Sequence, residues 1–222
     1  MIDQLIIGNK ASYDDFEASV RERHISDPKK KSIKDTVPFS NKTYDFSAIN
    51  GELYWEEREL EYVFEISALT PEELENKKLV FKSWIMNVIN ECIYDPFING
   101  YHFVGTYEDS SPDDSEIEKS TITVTFKAYP YMVSNKIKQY SYNVIKGESR
   151  TVTIFNNSSH RITPTFISDV PITLIKDNVS FSIPAGETTS DKVMLSMGAN
   201  TLSFETAGES GTFTIEFYEE VF

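Results

Sequence analysis

Two stretches of this chain alternate between apolar and polar residues, namely Leu60-Glu61-Tyr62-Val63-Phe64-Glu65-Ile66-Ser67 and Thr121-Ile122-Thr123-Val124-Thr125-Phe126-Lys127. Side chains two residues apart point to the same face of a strand, so each stretch has one apolar face, with Val63 as the exception. Such alternation is typical of antiparallel strands that are buried on one side. Other stretches repeat the pattern: Val152 and Ile154, Ile172 and Leu174, Val179 to Ile183, Leu202 and Phe204, and Phe213 to Phe217. The sequence therefore predicts a mainly β protein.

One segment departs from this alternation and predicts a helix over residues 71–93. Thr70-Pro71-Glu72-Glu73 combines an N-cap, a proline in the first turn and a glutamate that completes a capping box. Asp95-Pro96 predicts the stop, because a residue before proline avoids helical geometry. The apolar residues between these signals recur at three- and four-residue spacing: Phe81, Trp84, Ile85, Val88, Ile89 and Cys92. Cys92 is interpreted as a small core residue, since no base stands beside it.

Turn and loop signals divide the chain into two predicted domains. Asn50-Gly51 and Asn99-Gly100 lie between strand-like runs and favour tight hairpin turns. The acidic cluster from Glu108 to Glu116 is expected to be a solvated hairpin loop, and the polar stretch from Ser134 to Ser141 a connector. We therefore predict an N-terminal domain over residues 1–139 and a C-terminal domain over residues 140–222.

Composition and charge exclude several classes of function. The chain has 222 residues, with 35 acidic and 21 basic side chains and a formal charge of −14. This acidity argues against a reader of duplex DNA, and we expect no sequence-specific nucleic-acid binding. One cysteine and three histidines exclude a disulfide framework and disfavour a metal site. No apolar run approaches the length of a membrane span, and the first residues do not resemble a signal peptide, so we expect assembly in a cytoplasm.

The motifs of common enzymes are missing from the sequence. It contains no phosphate-binding loop, dinucleotide fingerprint, nucleophile elbow or HExxH segment. Adjacent carboxylates occur as Glu56-Glu57, Glu72-Glu73, Asp113-Asp114 and Glu219-Glu220, but neighbours on a strand point to opposite faces. The segment from Asp109 to Glu116 lacks the register of a calcium loop. We predict a protein that is not an enzyme, with no catalytic, cofactor-binding or metal-binding residues and no cofactor.

A short basic segment stands out against the overall acidity. Six bases fall within fourteen residues: Arg21, Arg23, Lys29, Lys30, Lys31 and Lys34. This segment has two interpretations, a docking site for the acidic face of another copy or another acidic protein, and an ordinary solvated loop. A single-stranded nucleic-acid site would require interleaved aromatic side chains, and only His24 is present.

Segments along nearly the whole chain resemble one known family, in the family's order. Val37-Pro38-Phe39-Ser40-Asn41-Lys42-Thr43-Tyr44-Asp45-Phe46-Ser47 is similar to the P-G-R-x-G-x-Y-D-F-S segment of distal tail proteins (Dit) of long-tailed phages and prophages. Phe126-Lys127-Ala128-Tyr129-Pro130-Tyr131 resembles the F-x-A-x-P-Y end of the family's first domain. The remaining similar segments are residues 12–16, 54–58, 198–202 and 211–217.

The resemblance implies a fold, an assembly and a set of partners. It implies an N-terminal β-sandwich or barrel-like domain with one α-helix, which forms a hexameric ring at the tip of a siphophage tail. The C-terminal domain would be a galectin-like or carbohydrate-binding-module-like β-sandwich. The implied partners are further copies of the chain, the tail tube protein, the tail-associated lysin or fibre hub, and the receptor-binding protein. The implied location is the virion tail tip, without membrane insertion.

Two other classes of function remain as alternatives. A carbohydrate-binding β-sandwich attached to a tail or surface protein would use aromatic side chains such as Phe166, Phe181 or Tyr218 as a stacking platform. The alternation places Phe181 and Phe217 in the core and only Tyr218 outside. A glycosidase or peptidase fragment is the other alternative, and it lacks a plausible set of catalytic residues.

Overall fold

A computed structural model of the chain describes residues 3–36, 38–39, 41–48, 51–113 and 118–222. Five residues discussed above lie outside these ranges. They are Val37 and Ser40 of the family-like segment, Asn50 of the Asn50-Gly51 turn, and Asp114 and Glu116 of the acidic cluster.

The chain is mainly β and divides into two compact units. The first comprises residues 1–132 together with Phe222, and the second comprises Val133–Val221. Each unit has a separate cluster of buried apolar side chains. The assignment of residues 1–139 and 140–222 to two functional domains stays a prediction.

The first unit is built around one antiparallel sheet and one helix. Its strands pair in the order β3-β6-β9-β8-β7-β1-β2. The backbone N–H of Val20 donates to the carbonyl of Asp3 at 2.8 Å and that of Ala18 to Ser12 at 2.9 Å, so β3 also contacts the segment that carries β1 and β2. These bonds curl the sheet towards a barrel. The described elements are β1 (Ile6–Ile7), β2 (Lys10–Ala11), β3 (Ala18–Ile25), β4 (Lys34–Thr36), β5 (Thr43–Asp45), β6 (Arg58–Ser67), α1 (Pro71–Ile85), β7 (Glu91–Tyr94), β8 (Tyr101–Asp113) and β9 (Lys119–Ala128).

The alternating stretches form the centre of this sheet, as predicted. Strand β6 lies between β3 and β9, and Phe64 is the partner of Ile122 across the β6–β9 ladder. The apolar residues on the inner face of both strands are fully buried: Leu60, Tyr62, Phe64, Ile66, Ile122, Val124 and Phe126. Their polar neighbours form the opposite face of the sheet.

The helix begins where the sequence predicted and ends eight residues earlier. The Thr70 side chain accepts a hydrogen bond from the backbone N–H of Glu73 at 3.2 Å, and Pro71 opens the first turn. The helix ends at Ile85, and Asn90 adopts a left-handed backbone with φ of 53°. The prediction that it extends to residue 93 was therefore wrong. Cys92 lies half-buried in β7 rather than on the helix.

The loop predictions are partly corrected. Strands β7 and β8 form an antiparallel hairpin, and Gly100 has the positive φ of 87° that its turn requires. The acidic cluster was expected to be a loop, but β8 continues as a strand to Asp113 and pairs there with β9. Residues Asp109 to Asp113 pair with β9, and Glu108 lies at a bulge in this ladder, so backbone pairing holds in place a segment that was expected to face water.

The second unit is a sandwich of two four-stranded sheets. The strands of one sheet follow the order β15-β12-β17-β10, and those of the other the order β11-β16-β13-β14. Side chains from both sheets meet in the second core, where Phe166 stacks on Phe213 and Phe213 packs edge-on against Phe204. Its strands are β10 (Met132–Val144), β11 (Ser149–Asn156), β12 (Thr165–Ser168), β13 (Ile172–Lys176), β14 (Val179–Ile183), β15 (Gly186–Thr189), β16 (Gly198–Glu205) and β17 (Gly211–Val221).

The predicted connector is a strand. Residues 134–141 lie within β10, so the interpretation of this polar stretch as a linker was wrong. The missed signal is the alternation at the end of the segment, where Tyr140, Tyr142 and Val144 all pack against the second core.

Candidate assembly interface

A long excursion leaves the first sheet between β3 and β6. We call residues 26–57 the arm. Its two limbs run side by side: the backbone N–H of Lys31 donates to the carbonyl of Tyr54 at 2.8 Å, and that of Glu56 to Lys29 at 2.7 Å. Further out, β4 and β5 pair in antiparallel register, with Asp35 opposite Tyr44. The arm therefore has a defined backbone without a core of its own.

Most of the arm is exposed to solvent, including large apolar side chains. Among its described residues, only Pro28 and Ser47 are buried. Folded chains rarely leave a contiguous group of large apolar side chains in water unless another surface covers it. The exposed apolar residues of the arm are Ile33, Phe39, Tyr44, Phe46, Leu53 and Tyr54.

The arm carries a cluster of lysines together with a similar number of carboxylates. Residues 26–57 contain five lysines and six carboxylates, a formal charge of −1. Asp45 accepts hydrogen bonds from Ser47, and these, with Lys30 and Lys34 nearby, lower the pKa of the Asp45 carboxyl. The arm is therefore rich in charges of both signs rather than uniformly basic.

Sequence reasoning found the lysines of the arm but missed its apolar face. The available signal was the pair Tyr44 and Phe46, two residues apart as on one face of a strand, in a short segment with no longer alternating run around it. The sequence shows that this segment contains aromatic residues, but it does not show that no other element covers them.

The basic segment predicted from sequence is divided between two environments. One interpretation placed Arg21 and Arg23 in a solvated loop. Both residues lie instead on strand β3, where each forms an ion pair, Arg21 with Glu65 and Arg23 with Asp95. Arg21 forms an ion pair with Glu65, and its guanidinium lowers the pKa of that carboxyl through a hydrogen bond. The lysines from Lys29 to Lys34 lie on the arm and are exposed.

Arg23 belongs to a polar cluster inside the first unit. Its Nε donates to both carboxylate oxygens of Asp95, at 2.9 and 3.2 Å, and the Asp95 side chain is fully buried. The ring of Phe97 covers the guanidinium at 4.1 Å from its centroid. Burial beside Asp95 also raises the pKa of the Tyr62 phenol. This arrangement ties β3 to the β7–β8 hairpin and leaves Arg23 no role on the surface.

The paired carboxylates considered for acid–base chemistry lie in different environments. Glu56 and Glu57 are exposed on the arm. Glu219 pairs with Lys138 at 2.5 Å, and Glu220 lies 3.1 Å from His160. The part of the chain that the structure describes contains no group of three or more His, Cys, Asp or Glu side chains that could hold a metal ion.

The three aromatic residues considered for sugar stacking have different environments. Phe166 is fully buried in the core and has no free face. Tyr218 is exposed on β17. Phe181 is half-buried, which differs from the expected core position, and it lines an open groove of about 360 Å³ together with Arg161, Asp177 and Asp191.

Comparison with solved structures shows which known fold this chain resembles. No family model and no curated protein matches the sequence. The solved structure of the Dit protein of SPP1 is similar over 98% of this chain and 99% of that chain, with a TM-score of 0.70 and 12% identity. The chain has a Dit-like fold. The SPP1 protein is described as a paradigm of the hub adsorption apparatus in phages that infect Gram-positive bacteria.

The Dit-like fold agrees with the family resemblance of the sequence. A phage P2 baseplate structure also matches 97% of this chain and 98% of its own, with a TM-score of 0.40 and 9% identity. The SPP1 protein is described as a structural hub protein rather than as an enzyme. Within the described ranges, no helix is long and apolar enough to cross a membrane.

Proposed function

We propose that this chain is a structural protein of a phage tail tip that assembles into a hexameric ring. The arm carries this proposal, because six large apolar side chains exposed on one extended element require a covering surface. A second copy of the chain is that surface. The Dit-like fold supports the assignment to a tail tip, since the SPP1 relative is described as part of a hub.

The ring would connect the tail tube to the hub or fibre and carry receptor-binding proteins at its periphery. Its location would be the virion tail tip of a siphovirus or a related prophage, after assembly in the cytoplasm of the bacterial host. The first unit would form the ring, and the second would be the galectin-like β-sandwich outside it. The absence of enzyme motifs from the sequence agrees with a purely structural role.

Electron microscopy of the purified chain tests the ring directly. We expect six-fold symmetric particles with a central opening. Replacing two exposed apolar residues of the arm, as Ile33→Asp with Phe39→Asp, should abolish these particles while leaving the circular dichroism spectrum unchanged. Val179→Asp, an exposed position of similar character on β14, is the matched control and should still form rings. Rings that persist in the arm variant would refute the role of the arm.

Saccharide binding by the second unit is a second candidate function. The observation in its favour is Phe181, which lines the open groove with charged side chains around it. Aromatic faces and polar groups together are what a sugar ring requires. Titration of the full chain with cell-wall polysaccharide should then show binding that Phe181→Leu weakens and Tyr218→Ala does not. Equal binding by both variants would exclude this groove.

A further inference from the structure

One sheet of the second unit ends at strand β14 (Val179–Ile183). Its strand order is β11-β16-β13-β14, and within the second unit, all of whose residues the structure describes, β13 is the only strand that pairs with β14. A strand at the end of a sheet presents a row of backbone N–H and C=O groups to which a further strand can pair. We call the unpaired side of this strand the β14 edge.

The register of the β13–β14 hairpin determines which groups the β14 edge presents. The turn Asp177-Asn178 has a positive φ at both residues, 52° and 62°, as in a two-residue type I′ turn. The flanking pair Lys176–Val179 is then hydrogen-bonded, and bonded and non-bonded pairs alternate along an antiparallel ladder. Ser180 and Ser182 therefore occupy non-bonded positions, and their backbone N–H and C=O groups point to the β14 edge. Both residues are exposed.

Two other strands that end sheets of the second unit carry devices that hinder strand pairing. Strand β15 is four residues long and includes Glu187. Strand β11 includes Arg150, and the Lys138 amine donates to the carbonyl of Phe155 on this strand at 2.8 Å. Short length and charged side chains are means by which folded proteins avoid pairing at an edge. Strand β14 has neither a charged residue nor a proline among its five residues.

An apolar groove lies on one face of β14. Val179 and Phe181 point to the same face of the strand, and with Met194 they line the open groove of about 360 Å³ described above. Val179 is 52% exposed, and Phe181 is half-buried against the second core. Residues directly opposite each other on antiparallel strands point to the same face, with Cβ atoms about 4.5–5.5 Å apart. A strand added at the β14 edge would therefore place one side chain beside the Phe181 ring.

The spacing of the unpaired backbone groups identifies the chemistry of the ligand. Ser180 and Ser182 are two residues apart, about 7 Å along the strand, and each presents one donor and one acceptor. This is the repeat with which an antiparallel strand presents its own N–H and C=O groups. A sugar ring has no such row of alternating donors and acceptors, so the edge fits an extended peptide better than a saccharide.

We propose that the β14 edge binds an extended peptide segment of a partner protein by strand addition. The backbones of Ser180 and Ser182 pair with the peptide, and the groove beside Phe181 receives one of its apolar side chains. In this mode of recognition, backbone hydrogen bonds provide affinity and pockets for alternate side chains provide specificity. The rim of the groove carries both signs of charge, as in Lys192 and Asp191, so apolar fit rather than charge selects the peptide. This interaction goes beyond the proposed ring, because it requires only the second unit.

Two substitutions at one position separate backbone pairing from side-chain contact. Ser182→Pro removes an N–H that faces the β14 edge and leaves the pairing with β13 intact, since proline is tolerated where an edge strand faces solvent. Ser182→Ala keeps the N–H and is the matched control. Urea denaturation should give similar midpoints for both variants. Ser180→Pro is a second variant designed on the same reasoning, and loss of folding in both proline variants would show that these N–H groups pair within the fold and would overturn the inference.

A library of random synthetic peptides, selected on the full chain and counter-selected on the Ser182→Pro variant, provides the probe. We expect enrichment of peptides in which apolar residues recur at every second position. A selected peptide should bind the Ser182→Ala variant as it binds the unmodified chain, and the Ser182→Pro variant about tenfold more weakly or worse. Phe181→Ala should also weaken binding. N-methylation of alternate peptide residues should abolish binding for the set that faces β14 and spare it for the other set.

Each contrary result overturns the inference in a recognisable way. If no peptide is enriched against the counter-selected variant, or if both N-methylated peptides bind equally, strand addition is refuted. Polysaccharide binding that Phe181→Leu weakens and Ser182→Pro spares, without peptide binding, would assign the groove to a saccharide. Association of two copies that Ser182→Pro abolishes, without peptide binding, would assign the β14 edge to a second copy. The ring is tested separately, because Ser182→Pro should leave ring formation unchanged.

Discussion

The ion pair between Arg23 and Asp95 is mostly buried, so its desolvation costs free energy while its contacts hold β3 against the β7–β8 hairpin. The Asp95 side chain is fully buried, and the Arg23 side chain retains 17% of its exposure. Taking both charges out of water costs several kcal/mol, which the contacts of Nε with both carboxylate oxygens and the ring of Phe97 offset. Asp95 also accepts from the backbone N–H of Phe97 at 3.0 Å, and Nη1 of Arg23 lies 3.4 Å from Asp3.

Removing one member of this pair should therefore destabilise the chain strongly. Asp95→Ala removes the buried carboxylate and leaves the Arg23 guanidinium only its longer contact with Asp3, at a cost of about 3–5 kcal/mol in the free energy of unfolding. Urea denaturation at fixed protein concentration measures this cost. Arg21→Ala is the control, because Arg21 is 54% exposed and solvent screens its pair with Glu65, so its loss should be much smaller. Equal losses in the two variants would contradict this account of the cluster.

The Arg21–Glu65 pair should instead make the free energy of unfolding depend on pH. Arg21 holds the pKa of Glu65 below its usual value near 4.3. A carboxyl with a lowered folded pKa stabilises the folded state above its unfolded pKa, and this contribution disappears as pH falls through the folded pKa.

We expect Arg21→Gln to reduce stability at pH 7 and to have a smaller effect at pH 3. Urea midpoints at the two pH values measure the difference. A loss that is the same at both pH values would show that the Arg21 side chain acts by packing rather than by its charge.

At the scale of elements, helix α1 is anchored at its start and packed through one face. The Thr70 cap and the Glu73 carboxylate, which accepts from the backbone N–H of Leu69 at 3.2 Å, satisfy two of the free donors of this region. Phe81 is fully buried and lies 5.0 Å from Phe64 between ring centroids, so the helix covers the central strand of the sheet.

Loss of the Thr70 N-cap should lower the free energy of unfolding by the amount that N-caps contribute in other proteins. Thr70→Ala is expected to lower the free energy of unfolding by about 1 kcal/mol. Ser83→Ala, on the exposed side of the same helix, is the control and should change stability by at most a few tenths of a kcal/mol, since alanine is the better helix former. A Thr70→Ala variant as stable as the Ser83→Ala variant would mean that water replaces the cap without cost.

The start of this helix could be predicted from sequence and its end could not, for a physical reason. Capping residues act locally, so Thr70-Pro71-Glu72-Glu73 identifies the first turn by itself. The apolar spacing continues past Ile85 to Val88, and Val88 is buried, so periodicity gives no stop signal. The hydrogen bond from the Asn90 backbone N–H to the Thr106 hydroxyl at 2.9 Å fixes the turn after the helix, and that contact spans 16 residues.

The strands of the first sheet were predicted more accurately than its surfaces. Alternation reports burial directly, so the inward positions of β6 and β9 followed from the sequence. The exposed apolar face of the arm did not, because exposure of Phe39 depends on which other elements reach it. The same limit explains Arg23, whose partner Asp95 is 72 residues away.

At the scale of the whole molecule, the net charge opposes assembly and local charges of the arm can offset it. The chain carries −14 overall, and the lysines of the arm are exposed. Copies of a uniformly acidic protein repel one another, whereas exposed lysines can pair with carboxylates of a neighbouring copy. Exposed charges of this kind are screened within about 8–10 Å at physiological salt, so assembly should weaken as salt rises.

The mass of the purified chain in solution, measured by light scattering across a range of protein concentrations at low and high salt, tests the central claim most directly. We expect a particle of six 25.4-kDa chains, or of twelve if two rings stack, which dissociates more readily at high salt. A chain that remains a 25.4-kDa monomer at all concentrations and at both salt levels would contradict the ring, and with it the interpretation of the arm as an interface between copies.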